Sequence, residues 1–462
     1  MAGDAPSTPS ASFDGAIEVS DHDLVRILTL RDYNTRVVVL GTALLGLAAG
    51  TVGVFMLLRK RALLGDALSH ATLPGIGIAF IVMARSGGNG KWLPGLLLGA
   101  AISGAIGVAG VLLIRRWTRL KEDAALGVVL SVFFGLGVAI LGVIQKMDTG
   151  NAAGLSSFIY GKTASMLAAD TWLIAGAAGV VAVGCLLLFK EFGLLCFDLE
   201  FAGAQGWPTL LLDTLMLTLV ILVTVIGLQA VGLILMIALL VIPPAAARFW
   251  TQRLSQMVLI SAGIGAASGF VGSVVSATQP NLPAGAIIVL AASACFLISL
   301  TFGRARGVVF QFIERVRLER KTRCQHLLRA VFEWVEEGRG NGGVGATESK
   351  IPFSGLVRQR SWSRHRLDRI IVRAERDGLI ERVGDTHVRL TSAGWDEARR
   401  VVRNHRLWEL YLITHADIAP SHVDRDADEL EHVLGQTMVR KLEGLLAEQA
   451  AATVPPSPHA LA

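Results

Sequence analysis

The sequence predicts an all-α polytopic membrane protein of eight or nine transmembrane helices, followed by a soluble α+β winged-helix domain and a closing helical region. Three observations carry this. The 462-residue chain is 52% hydrophobic and only 17% charged, with a mean hydropathy of +0.55, and apolar runs of roughly 18 residues or more read as membrane spans. Charge is partitioned: residues 37–303 hold little, whereas residues 304–462 are dense in Arg, Asp and Glu. Within that charged third, two helices, a basic helix and a strand–turn–strand follow in the order of a winged helix-turn-helix.

The first 36 residues form a tail. It opens on Ser, Pro and Ala, has no basic-then-apolar signal sequence, and is expected to end in a short interfacial helix over 17–35. Spans follow at about 37–58, 66–84, 92–114, 125–145, 171–189, 208–227, 230–247, 257–277 and 283–303. Gly and Ala recur through them, as in GTALLGLAAGTVG, and small residues let helices pack closely in lipid. The four cysteines (Cys185, Cys196, Cys295, Cys324) show no pairing pattern and read as small buried hydrophobes.

Positive charge sets orientation. RKR (59–61), RRWTRLK (115–121), Lys190, RFWTQR (248–253) and RAR (304–306) alternate onto the cytoplasmic side if all nine spans cross. That places the N-terminus outside and the charged third in the cytosol of a cell-membrane protein. The formal net charge of +6 lies largely in these flanks and in the last third, which suits cytoplasmic loops, lipid head groups or nucleic acid. The segment FDLEFAGAQGW (197–207) reads as a short amphipathic helix on the same side. It is either an ordinary interfacial loop or the dock for a motor subunit, through Phe197, Asp198, Glu200, Phe201 and Gly203.

Residues 304–321 form a helical linker, 322–395 the winged helix-turn-helix, 396–440 a helical region and 441–462 a tail. In the winged part IPFSGLVRQRS and SRHRLDRIIVRAERDG are helices, and LIERVGDTHVRLT is a strand–turn–strand turning at Gly384-Asp385. A long helix follows, with Ser392 as its N-cap. Arg364, His365, Arg366, Arg369 and Arg373 make the second helix basic, suited to DNA phosphates and guanine edges, to lipid head groups or to an ATPase.

Two kinds of site stand out. In GDALSHATLPG, Asp66 and His70 lie four apart, on one helical face. Either they are a capping Asp and a His at a wet interface, or they line an ion pathway, the usual place for ionisable groups in a span. An oxygen and an imidazole nitrogen suit a Mn, Fe or Zn dication. In the last third, His405 and Glu409 lie four apart, and Asp428, Glu431 and His432 share another face. Such sets are either solvated ion-paired surfaces or mixed N/O ligation, which favours Mn(II) or Fe(II) over structural zinc. A phosphate-binding loop is absent: Gly161-Lys162-Thr163 has Ser156 where the motif needs Gly. No nucleophile–base constellation supports an enzyme, so any ATP hydrolysis belongs to a partner.

RKRALLGDALSHATLPGIGIAF, KEDAALGVVLSVFFGLG, SSFIYGKTASMLAADTW and CFDLEFAGAQGW followed by VGLILMIALLVIPPAAAR resemble, in order over residues 20–305, the zinc/manganese/iron-uptake ABC permease family. The resemblance implies a dimerising or paired permease subunit, fed a dication by an extracytoplasmic binding protein and driven by a separate ATPase. It also implies that Asp66 and His70 lie on the metal path and that 197–207 couples to the ATPase. ERDGLIERVGDTHVRLTSAGWDEARRVVRNHRLWELYL and DADELEHVL are similar to the diphtheria-toxin-repressor family of metal-dependent regulators. That implies regulatory ligands at His405, Glu409, Asp428, Glu431 and His432, with His326 from the first helix. The chain departs from this family at Arg329, where manganese-type relatives carry an acid, and at Asp424, where iron-type relatives carry His. The expected function is thus the permease of an importer for manganese, iron or zinc, fused to a metal-responsive regulator that gates transport or binds DNA. The alternatives are a membrane-anchored transcription regulator that no longer transports, and an exporter or a vitamin or siderophore permease.

Overall fold

The computed structural model describes residues 31–86, 92–147, 161–278, 282–340, 350–360, 362–384, 386–415, 442 and 444. The chain divides into two compact units, Met1–Gln311 and Phe312–Ala462. The interfacial helix expected over 17–35 falls largely outside the described residues.

The first unit is helical. It comprises α1 (Tyr33–Leu58), α2 (Leu64–Arg85), α3 (Leu93–Trp117), α4 (Glu122–Gln145), a single 3-10 turn (Thr163–Ser165), α5 (Ala168–Leu187), α6 (Phe189–Phe197), α7 (Leu199–Ala204), α8 (Thr209–Val231), α9 (Leu233–Ala247), α10 (Leu254–Thr278) and α11 (Ala284–Phe302). Among the described residues eight helices are long and apolar enough to cross a bilayer, and α9 falls short. Its 15 residues rise about 22 Å, against a hydrocarbon core of about 30 Å. Gly232, at φ +83, breaks the chain between α8 and α9, a conformation that only glycine adopts without strain. The run read as two spans meeting near residue 230 is therefore one full span and a shorter helix.

The hub is α1, which packs on α5, α9 and α10. The reason is local. Thr42, Gly46 and Gly50 recur every fourth residue and so share one face. They meet Ser273, Gly265 and Ser261 of α10. A Cβ on Gly46 would run into the carbonyl oxygen of Gly265, and one on Gly265 into that of Gly46. Hydroxyls fasten the two ends of this seam: Ser261 Oγ donates to the Gly50 carbonyl at 2.7 Å, and Thr42 Oγ1 lies 2.9 Å from Ser273 Oγ. In a second layer α2 packs against α3 and α4.

The second unit takes most of α12 (Val308–Gly340), then β1 (Ile351–Pro352), α13 (Phe353–Arg360), α14 (Arg364–Arg376), β2 (Ile380–Val383), β3 (His387–Leu390) and α15 (Ser392–His415). The sheet order is β1-β3-β2, antiparallel throughout. Ile351 pairs with Val388, and Ile380 with Leu390. Gly384, at φ +67, turns the wing; Asp385 lies outside the described residues. The two-residue β1 was expected to be helix. Pro352 has no amide to donate, which suits an edge strand and starts α13 only after it. Leu367, Ile371 and Ala374 recur along the buried face of α14 and pack with Leu327, Val331 and Val388. The cap of α15 is Thr391, not Ser392: Thr391 Oγ1 accepts the Gly394 amide at 3.0 Å, and Ser392 is already helical.

The four cysteines carry free thiols. Burial, with Asp377 and Glu397 nearby, pushes the Cys324 thiol up to about 11, which keeps it protonated and unreactive at neutral pH.

Candidate functional site

Asp66 lies in the first turn of α2, and His70 lies one turn on. Asp66 Oδ1 and His70 Nε2 are 3.4 Å apart, with side chains 33% and 18% exposed. The His70 ring stands edge-on to Phe134 of α4, centroids 4.9 Å apart. Three hydroxyls on α2 and α3 are spent on backbone carbonyls of α2. Ser69 Oγ donates to the Gly65 carbonyl at 2.8 Å, Thr72 Oγ1 to that of Ser69 at 2.7 Å, and Ser103 Oγ of α3 to that of Ala71 at 2.6 Å. Asp66 and His70 thus offer one carboxylate and one imidazole side by side. Among the described residues no three His, Cys, Asp or Glu side chains gather at metal-ligating spacing. One carboxylate oxygen and one imidazole nitrogen are donor types that suit a divalent transition metal.

The turn leading into α2 holds a cluster that sequence reasoning missed. Asp213 of α8 is buried. It accepts from Arg61 Nη1 at 3.0 and 2.9 Å and from Arg59 Nη2 at 3.1 Å. Arg59 Nη1 also donates to the Leu195 carbonyl of α6 at 3.0 Å. The Arg61 carbonyl accepts the Leu64 amide at 3.0 Å, so this cluster positions the first turn of α2 and with it Asp66. In RKR, expected to mark a cytoplasmic flank, both arginines turn inward onto Asp213. The available signal was Asp213 itself, an acid in an otherwise apolar helix, which needs a partner.

The segment expected as one amphipathic helix over 197–207 is broken. Asp198 is extended (φ −149, ψ 96), and its Oδ1 caps α7 by accepting the Phe201 amide at 2.8 Å. Asp outranks most residues as a cap, so the chain restarts there. Phe197, Asp198, Glu200, Phe201 and Gly203 are all exposed, two aromatic rings among them.

In the second unit His405 and Glu409 lie one turn apart on α15 and are buried, with Nε2 and Oε1 3.1 Å apart. Arg329, reaching in from α12, places Nη1 3.0 Å from His405 Nδ1 and donates from Nε to Glu333 Oε1 at 2.6 Å. His326 is half-buried on α12, one turn before Arg329. Asp428, Glu431 and His432 lie outside the described residues, as does Asp424. Arg364, His365, Arg366, Arg369 and Arg373 are all exposed on α14. Three of them, Arg366, Arg369 and Arg373, line a groove with Arg320 and Arg323 of α12.

A helical unit with eight candidate spans marks a multi-pass membrane protein. Residues 31–303 match the ABC 3 transport family, and residues 391–450 match the iron dependent repressor metal binding and dimerisation domain. The chain belongs to the ABC 3 transport family. It is 36% identical over 427 residues to the manganese transport system membrane protein MntC of Bacillus subtilis, covering 91% of this chain and 95% of that one. It is 43% identical over 297 residues to the zinc transport system membrane protein TroC of Treponema pallidum, covering 64% and 97%. Among solved structures it is similar to PsaBC from Streptococcus pneumoniae in complex with Fab, at 28% identity and a TM-score of 0.53, covering 62% of this chain and 97% of that one. Its relatives are named as transport proteins, not enzymes.

Proposed function

We propose that this chain is the permease subunit of an ABC importer for a divalent transition metal, manganese first, with a fused cytoplasmic control unit. The Asp66–His70 contact, 3.4 Å across at the start of a membrane helix, is the observation that carries it. A partner ATPase docks where α6 ends and α7 begins, through the exposed Phe197 and Phe201, an extracytoplasmic binding protein supplies the ion, and a second permease copy completes the path. Manganese is favoured over zinc by the oxygen and nitrogen donors with no thiolate, and by the manganese relative that spans both units. The test is uptake of radioactive Mn(II) by cells or vesicles holding the whole transporter. Asp66→Ala is expected to lower uptake by roughly tenfold or more, the scale of losing groups that support a metal site, with membrane abundance unchanged. Full uptake by that variant would overturn the reading.

A second reading for the control unit is DNA binding, favoured by the exposed arginines on a helix followed by a wing. Full-length protein in nanodiscs would then bind duplex DNA with a steep salt dependence. Reversing Arg366 and Arg369 to Glu is expected to flatten the slope of log K against log salt by about 2. An unchanged slope would leave the unit to act on the transporter alone.

A further inference from the structure

We propose that Arg329 is a built-in cation standing in for a dication in the second unit, so that α12 and α15 are held together without metal. The inference rests on reading this unit as a control module.

The donor chemistry leads there. A guanidinium carries donors only and stays charged at any physiological pH. Arg329 Nη1, 3.0 Å from His405 Nδ1, therefore donates, and Nδ1 accepts with its lone pair. A neutral imidazole whose Nδ1 accepts carries its proton on Nε2, and Nε2 faces Glu409 Oε1 at 3.1 Å. Both nitrogens of His405 are committed, one to a cation and one to a carboxylate, and neither offers a lone pair to a metal. Glu333, a turn beyond Arg329, receives its Nε at 2.6 Å. The guanidinium is 2% exposed at its side chain, so it is not a surface arm that swings aside into water. A dication entering beside it would meet like charge in a buried setting, where screening is weak.

Among the described residues, His405 and Glu409 beside Arg329 thus do not fit the metal that the repressor-type domain implies. They fit an internal salt-bridged tie in which one charge replaces two. A second arginine makes the same join in the opposite sense: Arg406 of α15, also buried, grips Glu336 of α12 with both Nη atoms, at 3.1 and 2.5 Å.

The test is hydrogen–deuterium exchange of the full chain in lipid nanodiscs, followed by mass spectrometry of peptides from α12 and α15. It is run in chelator and in excess Mn(II) or Zn(II). The wild type is expected to exchange identically in all three. Arg329→Glu removes the cation and adds a carboxylate. It is expected to exchange at least about tenfold faster in chelator, the scale of losing a charged buried hydrogen bond, and to be slowed again by metal. Metal-dependent protection of the wild-type peptides would overturn the proposal, as would an Arg329→Glu chain that exchanges like wild type in chelator. If that variant does not fold, the wild-type comparison decides alone. The readout is local exchange, so its failure is distinct from a failure of Mn(II) uptake through Asp66 and His70.

Discussion

Replacing Asp213 by Ala is expected to destabilise the first unit by about 3–5 kcal/mol, the loss that follows when one member of a buried ion pair is removed. The side chain is 11% exposed and holds two arginines at once, Arg61 through both oxygens and Arg59 through one. Without the carboxylate, two guanidiniums face each other where water is scarce. Thermal melting of the detergent-solubilised chain, followed by tryptophan fluorescence, checks it. The triple variant Arg59→Met/Arg61→Met/Asp213→Leu should melt above Asp213→Ala, because a buried charge cluster removed whole is tolerated better than one left unbalanced. Uptake should fall in Asp213→Ala as well, since the Arg61 carbonyl sets the first turn of α2 and thereby the place of Asp66. An unshifted melting curve would mean that the pair contributes nothing net.

What the chain disclosed in advance followed from period and from the cost of charge in lipid. The four-residue spacing of Asp66 and His70 was enough to put them on one face, and their contact follows. The same spacing joined His405 to Glu409. What could not be read were partners distant in sequence. Arg329 meets His405 across 76 positions and Asp213 meets Arg61 across 152, and no local pattern encodes such meetings. Arg329 was visible as a departure from a family pattern, but its meaning depends on which imidazole nitrogen it reaches. Boundaries failed where two residues compete for one role: Thr391 beside Ser392 at a cap, and Asp198 inside an apparently continuous amphipathic stretch. In each case the side chain that reaches a free amide wins.

Gly265→Val is expected to cost about 3 kcal/mol or more, at or above the upper range for overpacking a close-packed interior. Its effect should be far larger than that of Gly263→Val two residues away. Both substitutions put a β-branched side chain into the same helix, so intrinsic helix preference is matched. Their surroundings are not. A Cβ at 265 meets the carbonyl oxygen of Gly46 in α1, and backbone cannot swing aside as a flexible side chain would. A Cβ at 263 meets nothing within 4 Å. Forcing α1 and α10 apart also pulls at the hydroxyl ties on either side, Ser261 to Gly50 and Thr42 to Ser273. In a bilayer there is no hydrophobic gain to compensate, because lipid solvates the exposed faces as well as the partner helix did. Melting temperature and recovery of monodisperse protein separate the two variants. Equal losses at both positions would place the effect in helix preference and remove the glycine seam as the reason α1 sits at the centre of the unit.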